Sequence, residues 1–292
     1  TTEGLSPQLP HHLFKIPPPT ICPDCRQQRR LAFRNERNLY HRKCDFSGKQ
    51  IISNFSEDKP YLVYDQIEWW SDKWNSLDYG QDFDFNKSFF EQFDNLNKKV
   101  PHCSIANKNV ENSYYSNFTL NVKNCYLVFG GGDDEDSLFS DFITNCKNCT
   151  DCSFLNECEL CYECVCSNNS YNCKFFINSK NCSDCMFIQN CTNCKNCIGC
   201  FNLNNKEYYI FNEYVGKEKF NECKKDINNL NKVFIENLKI KLNEQKYKNV
   251  YMYANIYNSE DCSGDVIENS KNCKNSFDIK NCEDSKIYLS HQ

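Results

Sequence analysis

The chain has 292 residues, 23 of them cysteines, and a formal net charge of −5. That many cysteines exceeds what ordinary core packing uses, so we interpret them as metal ligands, disulfide partners or members of a repeat. The acidic balance argues against charge-driven binding of nucleic acid by the molecule as a whole. The longest apolar runs are too short to predict a membrane span.

The cysteine pattern also bears on the compartment. An odd cysteine count with short Cys-x-x-Cys spacings favours a reducing environment, in which thiols persist and bind metal. The first residues lack a basic flank followed by an apolar stretch, so they predict no secretory signal. We therefore expect a cytoplasmic protein that does not associate with membranes.

The N-terminal sequence predicts an arm followed by a metal-binding module. Residues 1–20 are rich in proline and lack hydrophobic periodicity, which is typical of an extended arm. Residues 21–60 are predicted to form a zinc-ribbon-like module, since Cys22 and Cys25 form a Cys-x-x-Cys pair that can place two thiolates on one zinc ion. No acidic residue is spaced to activate a zinc-bound water, so the expected role of zinc is structural.

The remaining zinc ligands are less well defined by the sequence. Cys44 is the obvious third ligand, and His41, at His-x-x-Cys spacing before it, is the candidate fourth. The CDFSGK sequence that begins at Cys44 resembles a zinc knuckle in which Ser47 replaces the second cysteine. The alternative is that His41 is a surface residue and that Cys103 or water completes the set.

A dense group of cations lies around these ligands and is opposed within the segment only by Glu36. The candidates for binding phosphates of RNA or DNA are Arg26, Arg29, Arg30, Arg34, Arg37, Arg42 and Lys43. The alternative is a solvated helix whose arginines pair with acidic residues elsewhere, such as those at 61–100 or 133–136.

Residues 61–102 are aromatic and acidic, with three tryptophans and several phenylalanines at mixed spacing. Because large aromatic side chains bury much area, we expect this segment to form short helices that cap the following domain. A partner-binding surface is the alternative interpretation.

Residues 103–205 follow a rhythm of three. Between Cys125 and Cys200 all cysteines except Cys166 share one register modulo three, and asparagine precedes many of them. This period is neither helical nor that of a plain strand, so it indicates a repeat. Apolar patches recur mostly every twelve or fifteen residues, which predicts a narrow parallel β-solenoid with short strands and Asn-rich corners that tolerate left-handed backbone conformations.

The rhythm is interrupted once before it returns. Residues 206–249 have helical spacing of apolar residues and are predicted to form one or two amphipathic helices inserted as a lid or flank. Residues 250–292 regain Asn-Cys triplets and are predicted to form the final solenoid coils. The predicted fold class is therefore mainly β, with an N-terminal zinc-ribbon-like module and an inserted helical segment.

The thiols of the repeat can be interpreted in three ways. In the first, they are small buried hydrophobic groups in a core too thin for leucine. In the second they are thiolate ligands for soft metals, and in the third they are redox-active pairs on adjacent coils. The candidates for metal or redox chemistry are Cys146, Cys149, Cys152, Cys158, Cys161, Cys164, Cys191, Cys194, Cys197 and Cys200.

Three features carry a resemblance to a known family: CPDCRQQRRLAFRNERNLYHRKCDFSGK, VYDQIEWWSDKWNSLDYGQDFDF, and the Asn-Cys triplets that end in CFNLNNKEYYIFNEYVGKEKF. Over nearly its whole length, the chain resembles an uncharacterised cysteine-rich family from small-genome, uncultured bacteria. It implies an architecture and a bacterial cytoplasm, and it carries no catalytic residues to this chain.

The sequence favours a non-enzymatic, zinc-binding protein that acts as a repeat-based interaction scaffold, with a protein partner or assembly as its target. No catalytic residues and no small-molecule substrate are predicted, because no nucleophile with a base, phosphate loop or paired carboxylates stands out. The alternatives are an RNA- or ribosome-associated factor using the basic module, and a metal-storage or thiol-redox protein using the repeat cysteines.

Overall fold

The structure is a computed structural model and describes residues 37–228 and 232–286. Strands account for 37% of the residues and helices for 16%, so the chain is mainly β, as the sequence predicts. The chain divides into two compact units, Thr1–Ile105 and Ala106–Gln292.

The described part of the first unit contains two strand pairs and short helices. β1 (Tyr40–Lys43) pairs antiparallel with β2 (Gln50–Ser53), and β3 (Val63–Tyr64) pairs parallel with β4 (His102–Cys103). Between β3 and β4 lie α1 (Gln66–Trp69), a 3-10 turn (Ser76–Tyr79) and α2 (Phe89–Lys99). The short helices predicted for the aromatic segment are therefore present.

Aromatic side chains hold this segment together. The indole N–H of Trp69 donates to the carbonyl of Pro101 at 3.1 Å, and that of Trp74 donates to the carbonyl of Trp69 at 2.8 Å. The rings of Tyr64 and Trp74 meet edge to face with centroids 5.8 Å apart. Each indole thus buries apolar area while its polar N–H is satisfied, which is how tryptophan contributes to small cores.

A nine-stranded sheet dominates the second unit, and its strands follow chain order from β7 to β15. A short pair, β5 (Asn107–Lys108) and β6 (Thr119–Leu120), precedes it. The strands are β7 (Tyr126–Phe129), β8 (Leu138–Thr144), β9 (Ser153–Asn156), β10 (Tyr162–Asn168), β11 (Lys174–Ile177), β12 (Met186–Gln189), β13 (Lys195–Ile198), β14 (Glu207–Ile210) and β15 (Glu213–Tyr214). Only the last pair, β14 with β15, is antiparallel in this sheet.

The parallel pairs share one offset of twelve residues. Tyr126 pairs with Leu138 in β7 and β8, and Lys195 pairs with Glu207 in β13 and β14. The repeat length is therefore twelve residues, and the prediction that some repeats are fifteen residues long is wrong. Apolar patches fifteen residues apart arise because β8 and β10 are seven residues long and carry apolar side chains at different positions within the repeat.

Every third residue from Phe118 to Phe211 has a positive φ near 50–70°. Asparagine occupies many of these positions, as predicted, because its short polar side chain tolerates the left-handed region better than other residues. Phenylalanine and glutamate occupy others, including Phe142 and Glu163. Cys166, the cysteine that departs from the common register, also occupies such a position, with a φ of 53°.

The residue after each left-handed position is buried, from Thr119 to Cys200, and we call this series the buried ladder. A twelve-residue repeat divided by three gives four ladder positions per repeat. The ladder holds mostly cysteine and serine, with an occasional larger residue such as Ile143 or Phe176. The buried cysteines of this series pack with Ile143, Leu155 and Phe176 in one hydrophobic core.

The predicted start of the helical insertion at residue 206 is wrong by one strand. β14 lies within the predicted insertion at residues 206–249, but it pairs in parallel with β13 at the same twelve-residue offset. The insertion itself is α3 (Gly216–Asn228) followed by α4 (Lys232–Lys246). Phe220 and Leu238 of these helices pack with Met186 and Ile198 of the sheet. None of the described helices combines the length and the apolar character of a membrane-spanning segment.

The last described residues form a separate three-stranded parallel sheet. Its strands are β16 (Ile256–Tyr257), β17 (Gly264–Glu268) and β18 (Ser276–Lys280). Offsets of eleven and twelve residues join them. This sheet lies beside the nine-stranded sheet, since the ammonium of Lys180 is 5.1 Å from the ring centroid of Tyr257.

Candidate functional site

Cys44 lies in the tight turn between β1 and β2, and backbone N–H groups surround its thiol. The N–H groups of Ser47 and Asp65 donate to its Sγ at 3.4 and 3.1 Å. The N–H of Gly48, which has a φ of 70°, donates to the carbonyl of Cys44 at 2.9 Å and closes the turn. Converging N–H donors of this kind favour an anion, here a thiolate.

The surroundings of Cys44 therefore suit a metal ligand. Burial of the side chain opposes ionisation, but hydrogen bonds from Ser47, Asp65 and Phe46 outweigh it and lower the pKa of the thiol. Cys103 differs, because its thiol donates to the carbonyl of Ile105 at 3.0 Å and burial raises its pKa to about 11. Since zinc binds the thiolate, Cys44 fits a zinc ligand better than Cys103 does.

Within the part of the chain that the structure describes, Cys44 is not part of a group of three or more side chains that could hold a metal ion. His41 lies in β1 opposite Ile52 and is exposed, whereas the next residue, Arg42, is buried. Cys22 and Cys25 lie outside the described residues. The complete ligand set, including His41, remains a prediction.

One of the predicted phosphate-binding cations has another role. The guanidinium of Arg42 is buried, forms a salt bridge with Asp45 at 2.9 Å and donates to the carbonyls of Ser56 and Tyr61. It therefore ties the β1–β2 turn to the following segment. Arg37 and Lys43 are exposed, and the remaining candidates, Arg26, Arg29, Arg30 and Arg34, lie outside the described residues.

The repeat cysteines named from the sequence all lie on the buried ladder, and they form two blocks. The first block contains Cys146, Cys149, Cys152, Cys158, Cys161 and Cys164, and the second contains Cys182, Cys185, Cys191, Cys194, Cys197 and Cys200. Cys182 and Cys185 join the second block because they are twelve residues before Cys194 and Cys197. They were not among the candidates for metal or redox chemistry named from the sequence, although the twelve-residue offset is the signal that identifies them.

Each ladder thiol interacts with the backbone around it. Cys161 Sγ lies 3.5 Å from the carbonyl oxygen of Glu159 and 3.8 Å from that of Ser170. Ladder serines make the first of these contacts too, as Ser137 does with the carbonyl of Glu135 at 3.0 Å. Cysteine and serine are therefore equivalent occupants of the ladder, each satisfying its own polar hydrogen on the backbone.

Burial keeps isolated ladder thiols protonated. Cys173, between the two blocks, is fully buried, and this burial raises the pKa of its thiol to about 12. Within the blocks, the thiol of Cys161 lies beside those of Cys149, Cys158 and Cys164. Nevertheless, no group of three or more His, Cys, Asp or Glu side chains among residues 37–228 and 232–286 is arranged to hold a metal ion.

A groove on the outer surface of the nine-stranded sheet was not predicted from the sequence. Its volume is about 440 Å³, and Phe175, Phe187, Ile177 and Leu242 supply apolar walls. Asp151 and Glu163, which are equivalent residues of adjacent repeats, add two carboxylates to its lining. The sequence shows the two acids twelve residues apart, but only the twelve-residue repeat length indicates that they lie side by side on adjacent strands.

Neither a scan of protein-family models nor a search of curated proteins matches this chain.

Proposed function

We propose that the chain is a non-enzymatic, zinc-binding interaction scaffold whose repeat winds as a narrow β-solenoid and binds a protein partner through its outer surface. The observation that carries this proposal is that the three residues of each triplet have three different structural roles. One residue has left-handed backbone, the next is buried, and the third lies in the parallel ladder of bridges. Cysteine chemistry is thus directed inward, and only the outward positions are available to a partner.

The outward positions form long regular columns, which suits recognition of a partner. One column alternates charge along the sheet, with Lys123 bound to Glu111 at 3.3 Å and Lys147 bound to Glu135 at 2.7 Å. Other columns present exposed aromatic rings, among them Tyr126, which is 44% exposed. Exposed aromatic residues on a rigid frame are frequent anchors of protein interfaces.

We propose that zinc has a structural role in the N-terminal module, with Cys22, Cys25 and Cys44 as ligands and His41 as the fourth. The lowered pKa of Cys44 and the N–H donors around its thiol support this assignment. The ion would fix the β1–β2 turn, and no residue is assigned a catalytic role.

Site-specific photo-cross-linking tests the scaffold proposal. Benzoylphenylalanine would replace Tyr126, Tyr162 or Tyr171, three outward residues, in separate full-length proteins, and each would be irradiated in a lysate of the source organism. Samples of the same three proteins kept in the dark are the matched controls. We expect adducts of discrete mass from at least one outward column after irradiation and none in the dark. Failure of all three outward positions to form an adduct would contradict the scaffold.

A further inference from the structure

Asp151 and Glu163 are two acids at equivalent positions of adjacent repeats. At the other acidic positions of the nine-stranded sheet, the residue twelve positions away is neutral or basic. Asn121 Nδ2 donates to Asp133 Oδ1 at 2.8 Å, and Asn124 Nδ2 donates to Asp136 Oδ1 at 2.9 Å. In the described part of residues 106–228, two acids occupy equivalent positions of adjacent repeats only at Asp151 and Glu163.

This stacking of like charges is unfavourable. Adjacent strands of a sheet are about 4.8 Å apart, so equivalent carboxylates on neighbouring repeats repel each other at short range. Both residues have left-handed backbone, with φ of 55° and 49°, and both are exposed. Among the described residues neither carboxylate forms a salt bridge, although the Tyr162 hydroxyl shares a hydrogen bond with Glu163.

The same two carboxylates lie at an apolar groove that is open to solvent. Val165 and Ile177, 39% and 42% exposed, continue the groove that Phe175 and Phe187 line with stacked rings 4.3 Å apart. Leu242 of α4 forms part of its wall. A volume of about 440 Å³ is enough for one large side chain and its neighbour.

From this combination we infer that the groove binds a peptide segment of a partner protein in which arginine or lysine is adjacent to a large apolar residue. The apolar side chain fills the groove, and the cation lies between Asp151 and Glu163 and relieves their repulsion. The inference rests on the proposed scaffold function and specifies the chemistry of its partner.

Fluorescence anisotropy with labelled tetrapeptides tests the inference on the full-length protein. The probes are Trp-Arg-Arg-Leu, its acidic counterpart Trp-Glu-Glu-Leu and its polar counterpart Ser-Arg-Arg-Ser, all with blocked termini. We expect Trp-Arg-Arg-Leu to bind most tightly and to weaken as ionic strength rises. Equal binding of the basic and acidic probes, or no binding of Trp-Arg-Arg-Leu, would overturn the inference.

Variants separate recognition from damage to the fold. The double variant Asp151→Asn with Glu163→Gln should weaken Trp-Arg-Arg-Leu binding by about tenfold or more, because charge-assisted contacts are lost. It should also melt at a temperature equal to or above that of the wild type, since the repulsion is removed. Glu159→Gln, a neighbouring exposed acid outside the groove lining, is the control and should change neither property. Unchanged affinity in the double variant would overturn the inference.

The outcome also distinguishes this inference from the scaffold proposal. If the peptides fail but Tyr126, Tyr162 or Tyr171 yields cross-linked partners, the groove assignment falls and the scaffold stands. If no outward position cross-links, the scaffold itself is contradicted.

Discussion

The backbone N–H of Cys146 donates to Oδ1 of Asp134 at 2.9 Å, so a buried carboxyl accepts the kind of hydrogen bond that a serine hydroxyl accepts at other ladder positions. Ser137 accepts the N–H of Cys149 in the equivalent way at 3.3 Å. Oδ2 of Asp134 is buried without a hydrogen-bond partner in the described structure, and a Cβ added at Gly131 would lie only 2.7 Å from it. The missing side chain of Gly131 is what makes room for this carboxyl.

Asp134 should make stability depend on pH. Burial raises the pKa of its carboxyl to about 8, whereas an unfolded aspartate has a pKa of about 3.9. Between these values the unfolded chain releases a proton that the folded chain retains, so the free energy of unfolding falls as pH rises from about 4 to about 8. Asp134→Ser should remove this loss and raise the free energy of unfolding at pH 8.5 by on the order of 2–5 kcal/mol.

Urea unfolding at pH 5.5 and pH 8.5 measures this effect. The groups facing Asp134 include the side chain of Asp133 and the thiols of Cys146 and Cys125. The Cys149 thiol raises the pKa of Cys146 to about 11 and burial raises that of Cys125, so neither thiol ionises ahead of Asp134 over this pH range. Asp133→Asn, at an exposed position, is the control and should leave the pH dependence largely unchanged. A wild-type stability that is flat over this range would contradict the assignment.

The asparagine ladders should stabilise the repeat through backbone conformation as well as hydrogen bonds. Asn181 has a φ of 54°, donates to Oδ1 of Asn193 at 3.0 Å and accepts from Asn169 at 3.2 Å. Asn181→Gly and Asn181→Val both lose these bonds, but only valine is strained in the left-handed region. We expect the valine variant to be less stable than the glycine variant by about 1–2 kcal/mol in urea unfolding. Equal stabilities would show that the backbone conformation is not the controlling factor.

At Cys161 of the buried ladder, serine should replace cysteine without loss of stability, whereas leucine should not. Cys161→Ser keeps a small side chain whose hydroxyl can donate to the carbonyl of Glu159, so its effect should stay within about 1 kcal/mol. Cys161→Leu overfills a narrow interior and should destabilise by about 1–3 kcal/mol or more. Thermal unfolding measures the stability of both variants relative to wild type, and Cys166→Ser, at an outward position, is the control. A leucine variant as stable as wild type would contradict a close-packed interior.

Much of the repeat could be predicted from residue spacing alone. The period of three follows from cysteine and asparagine positions such as Asn124 and Cys125, because small side chains fill most of the buried positions and left-handed positions favour asparagine. Cys166 looked like an exception in sequence, but it simply occupies an outward left-handed position. Composition could not reveal this, since cysteine is compatible with either location.

Features that depend on distant residues could not be predicted. β14 resembles the start of a helical segment in sequence, yet pairing with β13 determines its conformation, as tertiary context often does for short apolar runs. The groove depends on residues from separate repeats and on Leu242, a residue of α4. Likewise, the N–H donor of Asp65 to Cys44 lies twenty-one residues further along the chain.

Zinc binding should depend on Cys44. Cys44→Ser removes a thiolate ligand, so the protein purified from zinc-supplemented medium should lose most of its zinc, while Cys103→Ser should retain it. Atomic emission of both variants beside wild type measures the difference. Equal zinc in the Cys44 variant and wild type would remove Cys44 from the ligand set.

Maleimide labelling with mass spectrometry, with and without denaturant, measures whether the repeat thiols of the native full-length protein are core groups or reactive groups. We expect ladder cysteines such as Cys149, Cys173 and Cys197 to stay unlabelled until the protein unfolds, because they are buried. Rapid native labelling of these ladder thiols would contradict this expectation and would favour thiol chemistry as the function.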